Sequence, residues 1–92
     1  MKLTDLIKDI ENIDEEAIIF QEDRENPNSD IILSFAEEGD EGVKEVEGRK
    51  YYYLIEVFLA KEFVEDWAAS LGHEPTLEEK VKRLYDYAIN DA

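Results

Sequence analysis

Ninety-two residues with 43% apolar side chains and ten aromatics make one domain with a real core. A chain this short hides only about 60–65% of its unfolded surface, so its stability margin is narrow. The net charge is −15, from 25 acids against 10 bases, and there is no cysteine. That excludes a disulfide framework and a thiolate-bound metal, and a polyanion such as nucleic acid is repelled at long range.

The charge is not spread evenly. Residues 9–47 hold fifteen acids and two bases, −13, while the rest of the chain is nearly neutral at −2. Such asymmetry points to an interaction surface or to solubility. The start, Met1-Lys2-Leu3-Thr4-Asp5, meets charge too early for a secretory signal, and no apolar run is long enough to span a membrane. The expected location is the cytoplasm.

In chain order, Thr4 reads as a helix cap, with Asp5 where the helix dipole favours an anion. Leu3, Leu6, Ile7, Ile10 and Ile13 repeat at helical spacing, so a helix is predicted over 4–12, ending near Asn12. Residues 17–21 form a short β-branched strand and 30–36 a second one. Between them, 22–29 is a polar loop around Pro27. Gly39 to Gly42 is a turn, and 43–46 alternates as a third strand that ends at Gly48. The short connections imply an antiparallel meander.

Residues 51–59 have strand-like side chains, but Val57, Ala60, Val64, Trp67, Ala68 and Leu71 share one helical face. A helix is therefore predicted over 52–71, capped by Gly72 and stopped by Pro75. Thr76-Leu77-Glu78-Glu79 is a capping box that opens a last helix, with Leu77, Val81, Leu84, Tyr85, Ala88 and Ile89 on its stripe. The expected fold class is α+β in the order α-β-β-β-α-α, a three-stranded sheet with helices packed on one face.

Little here suggests catalysis. The one histidine, His73, lies in an interhelical turn, and with 25 carboxylates no pair stands out. Asp23, Glu25, Asn28 and Asp30 loosely resemble a calcium loop. Pro27 at the fifth position, Asn28 in place of the needed glycine and Ser34 at the final glutamate position break the match. No phosphate loop, dinucleotide fingerprint or zinc spacing occurs, so neither an enzyme nor a cofactor is expected.

The aromatics point elsewhere. Tyr51, Tyr52 and Tyr53 cannot all face one core, so at least one is expected at the surface, where tyrosines anchor partners. Trp67 and Tyr85 fit inward stripes, and Tyr87 points elsewhere.

The opening Met1, Asp5, Leu6, Ile7 and Ile10, three short strands, a late Trp67 and a closing helix with Tyr85 resemble small acidic inhibitors of bacteria and phages. Two such groups are the immunity proteins of toxin nucleases and the type II anti-CRISPR inhibitors, and the residues named resemble the second more concretely. The apolar run 51–60 and the bases of the last helix depart from that pattern, and no functional residue is carried over. The resemblance implies a non-catalytic DNA mimic whose carboxylates fill a basic groove of a nucleic-acid-handling protein. The residues expected to meet such a partner are Glu22, Asp23, Glu25, Asp30, Glu37, Glu38, Asp40, Glu41, Glu45, Tyr51 and Tyr52. A second reading is a structural or regulatory domain, monomeric or dimeric through an apolar surface at Tyr51–Leu59, whose acidity serves solubility. Neither reading involves direct contact with nucleic acid or a membrane.

Overall fold

A computed structural model describes residues 1–35 and 42–91. It is α+β, with three helices and a four-stranded antiparallel sheet. Helix α1 covers Leu3–Lys8 and runs on into a 3-10 turn at Ile10–Asn12. Lys2, not Thr4, occupies the cap position, and its N–H donates to the Asp5 carboxylate at 2.9 Å. The acid expected in the first turn thus satisfies one of the donors a helix start leaves open.

The strands are β1 (Ile18–Gln21), β2 (Ile31–Ser34), β3 (Val43–Val46) and β4 (Arg49–Glu56), followed by α2 (Val57–Leu71) and α3 (Leu77–Asp91). Their order across the sheet is β2-β1-β4-β3. The expected meander of three strands is corrected here: β2 does not lie beside β3, because β4 pairs with both β1 and β3 and joins two hairpins into one sheet.

The predicted helix over 52–71 is corrected at the same place. The helical stripe is real but begins only at Val57. Residues 49–56 are a strand, as their β-branched and aromatic side chains favour. A β-bulge hid the alternation. Ile19 faces Ile55 and Phe20 faces Tyr53, which leaves Leu54 as the extra residue. Leu54 and Ile55 are then both fully buried in the same core, a neighbouring pair that imitates helical spacing. At the junction, the Val57 N–H donates to the Ala17 carbonyl at 2.9 Å, so β1 also anchors the start of α2.

Leu3, Leu6, Ile7 and Ile10 from the first helix meet Ile19, Ile31, Leu54 and Ile55 from the sheet in a single cluster. Val57, Ala60 and Val64 of α2 and Val81, Leu84 and Ala88 of α3 complete it. Alternation turns Phe20, Tyr51 and Tyr53 to the other face of the sheet. There Phe20 meets Tyr53 edge to face at 6.3 Å, and the Lys44 ammonium lies 5.9 Å from the Phe20 ring centre.

The end of α2 and the start of α3 follow the sequence closely. Gly72 caps α2 in the left-handed region, with φ 75°. At the head of α3, Thr76 N–H donates to Glu79 Oε1 at 3.1 Å and Glu79 N–H to Thr76 Oγ1 at 3.2 Å, the reciprocal capping box. No helix among the described residues is long and apolar enough to cross a membrane.

Candidate functional site: an acidic end of the sheet

Strand direction decides which acids meet. β1 ends where β4 begins, so loop 22–30 and the β3–β4 hairpin lie at the same end of the sheet. Tyr52 is level with Gln21, and the hairpin continues three residues further to Arg49, about 10 Å at strand rise. Glu22, Asp23, Glu25 and Asp30 on the loop and Glu45 on the hairpin therefore share one end of the molecule. Glu37, Glu38, Asp40 and Glu41 lie outside the described residues.

Arg49 reaches from the hairpin to the loop. Its guanidinium is 3.7 Å from Glu22 and 3.5 Å from Asp30, and Lys2 approaches Asp30 at 2.9 Å. The Lys2 hydrogen bond and charge hold the Asp30 carboxyl below the usual carboxylate range. The sequence places Arg49 and Lys2 outside the acidic segment, but the fold brings both into it. Lys61 does the same further along, 3.5 Å from Glu11 and 3.1 Å from Glu15. The division into an acidic face and a neutral scaffold is thus softer in space than along the chain. Glu22 and Asp30 are committed to internal pairs, whereas Asp23, Glu25 and Glu45 are exposed and form no ion pair among the described residues.

The loop that carries Asp23 and Glu25 is braced from within. Asp23 Oδ1 accepts the Glu25 N–H at 2.9 Å, and Asn26 Oδ1 accepts the Asn28 N–H at 3.0 Å. These are side-chain turns of the kind Asp and Asn favour. Ser29 Oγ accepts from Asp23 N–H at 3.1 Å and donates to the Asp23 carbonyl at 2.9 Å, so the two ends of the loop are tied. Gln21, fully buried at its base, donates through Nε2 to the Asn26 carbonyl at 3.1 Å; its Oε1 has no partner among the described residues.

α3 supplies the last brace. The Tyr85 hydroxyl donates to the Arg24 carbonyl. Burial pushes the Tyr85 hydroxyl above the usual tyrosine value, and the charges of Asp23 and Glu25 add to the shift. It therefore stays protonated and able to donate. The amphipathic stripe marks Tyr85 only as a core residue; its contact with residue 24 depends on how α3 packs beside the loop, which helical spacing does not reveal.

Of the two tyrosines expected at the surface, Tyr52 is exposed, at 39%. Tyr51 is buried at 7% and so offers little surface to a partner; it lies on the second face of the sheet, level with Lys44 of β3. The apolar surface expected at Tyr51–Leu59 is mostly core: Tyr51, Leu54, Ile55 and Val57 are buried, and Phe58 and Tyr52 are the large side chains left exposed. Among the described residues, no group of three or more carboxylate or histidine side chains is arranged to hold a metal ion.

No protein-family model, no curated protein and no solved structure matches the chain.

Proposed function

We propose that this protein is a non-catalytic, acidic protein-binding inhibitor that occupies a basic, nucleic-acid-handling surface of its partner. The observation that carries the reading is the braced loop 22–30. Asp23 and Glu25 stand exposed, unpaired among the described residues, on a loop fastened by its own side chains and by Tyr85. Carboxylates on a backbone ordered before binding cost less conformational freedom on association, which is what a phosphate mimic needs. Complementary charge would also raise the association rate steeply at low salt. Glu45 on the adjacent hairpin belongs to the same proposed surface, with Tyr52 as an exposed anchor. Glu22 and Asp30 act in it as supports through Arg49 and Lys2 rather than as contacts.

The test is capture from the lysate of the source cell at low salt, with the native protein and the Asp23→Lys/Glu25→Lys variant as parallel baits. The native bait should retain a basic protein that elutes in a salt step and that the variant does not retain. A labelled duplex bound to that protein should be displaced by the native inhibitor. Retention indifferent to the two substitutions, or a captured protein that keeps its duplex, rules the reading out.

A further inference from the structure

A second surface lies on the far side of α3 from the acidic loop. Tyr85, which holds the loop, and Tyr87 are two positions apart, about 200° around a helix. Tyr87 therefore faces away from the loop, and its ring stacks on Phe63 of α2, with centroids 4.2 Å apart and planes inclined by 13°. Beside this pair a groove of about 480 Å³ opens between α2 and α3, lined by Leu59, Glu62, Phe63, Asp66, Trp67 and Tyr87. None of its aromatic rings is fully buried. Trp67, assigned to the core by helical spacing, forms one wall.

The chemistry of the walls is specific. Three aromatic residues and a leucine supply flat apolar faces. Glu62 and Asp66, one turn apart on α2, supply exposed carboxylates, and neither forms an ion pair among the described residues. Trp67 also borders the next groove, whose lining includes Lys82 and Arg83. Arg83 also borders Phe63 and Tyr87 in a further groove, so a base of α3 stands at two edges of the aromatic group. The groove walled by Glu62 and Asp66 of α2 has no base in its lining, and that is where a cation can enter. A group that is flat, cationic and able to bond two carboxylate oxygens at once satisfies both walls. That describes a guanidinium, which stacks on aromatic faces and pairs with carboxylates in a fork; an ammonium is a point charge with a tighter hydration shell.

We propose that the Phe63–Trp67–Tyr87 groove is a docking site for an extended segment of a partner protein that presents an arginine side chain, stacked on the aromatics and clamped by Glu62 and Asp66. This site is separate from the acidic loop and does not rest on the function proposed for it.

Trp67 is the chain's single tryptophan, so its emission reports the groove directly. The probes are three capped pentapeptides, acetyl-Gly-Ala-X-Ala-Gly-amide, with X as arginine, lysine or the uncharged isostere citrulline. They are titrated to 20 mM at constant ionic strength. The arginine peptide should give a saturable change. The lysine peptide should bind at least fivefold more weakly, and citrulline should give none. Glu62→Gln/Asp66→Asn, two exposed near-isosteric changes, should weaken the arginine peptide at least tenfold with an unchanged circular dichroism spectrum. Asp23→Lys/Glu25→Lys, on the other face, should leave it within twofold. Absence of a response to arginine, equal responses to arginine and lysine or citrulline, or a response lost in the loop variant and kept in the groove variant overturns the proposal. So does Trp67 emission that varies with protein concentration without peptide, because a second copy would then occupy the groove.

Discussion

The hydroxyl of Tyr85 donates to the main-chain carbonyl of Arg24 across 61 residues of sequence. That bond ties the last helix to the acidic loop and makes the loop's shape depend on α3. Tyr85→Phe keeps the ring and removes the donor. It should cost about 1 kcal/mol of stability, typical for one such bond, with a fall of about 4–8 °C in melting temperature. Hydrogen exchange should speed up in residues 23–29 more than in the core strands. A variant as stable as the parent, with unchanged exchange in the loop, would show that the bond contributes nothing.

The β3–β4 hairpin closes through Glu47 and Gly48, with φ 52° and 81°. Two successive positive φ values define a primed turn, for which Asn-Gly is the preferred pair. Glu47 is thus in a region an ordinary side chain avoids. Glu47→Asn should stabilise the protein by about 0.5–1 kcal/mol, measured by urea unfolding. It also removes one negative charge from the acidic end, which works in the same direction.

The capping box makes part of the stability depend on pH. Hydrogen bonding to Thr76, first from its backbone N–H, holds the Glu79 carboxyl below its usual range. A carboxyl depressed in the folded state contributes stability fully present above the unfolded value, about 4.3, and lost as pH falls through the lower folded value. Glu79→Gln keeps an oxygen to accept the Thr76 N–H but cannot titrate. The difference in urea midpoint between pH 7 and pH 3 should therefore be smaller in Glu79→Gln than in the parent. Equal differences would mean that the box does not titrate.

With a net charge of −15, the folded chain repels itself. Raising sodium chloride from 10 to 200 mM should raise the melting temperature, since the Debye length shrinks from about 30 Å to below 10 Å. The ion pairs of Arg49 and Lys2 are largely exposed and that of Lys61 is half-buried; all weaken in salt, which opposes the gain. The repulsion involves many more charges and should prevail. A melting temperature that falls with salt would show that these pairs outweigh it.

The end of α2 and the whole of α3 were plain in the sequence because their signals are local. Thr76 and Glu79 sit three residues apart, Gly72 ends one stripe, and Val81, Leu84 and Ala88 trace another. The sheet was less legible because its pairing is not local. Nothing within 49–56 says that this run must lie between β1 and β3, and the bulge at Leu54 replaces strand alternation with a doublet of buried residues. The acidic site was legible as composition but not as geometry. Arg49 and Lys2 enter it from outside the acidic segment, Tyr51 leaves the surface, and Tyr85 joins as a brace. All four facts depend on contacts between segments far apart in sequence, strand beside strand for Arg49 and Tyr51 and helix beside loop for Lys2 and Tyr85. The Phe63–Tyr87 stack was hidden for the same reason, since it needs the packing of α2 against α3.

The central claim is that Asp23 and Glu25 form part of a surface that competes with nucleic acid for a basic partner. Its most direct test is the rate at which the protein associates with the captured partner, followed from 20 to 300 mM salt for the native chain and for Asp23→Lys/Glu25→Lys. The association rate should fall steeply with salt in the native chain, and the variant should associate at least tenfold more slowly at the lowest salt, with a flatter salt dependence. Identical rates and identical salt slopes for the two proteins would contradict it.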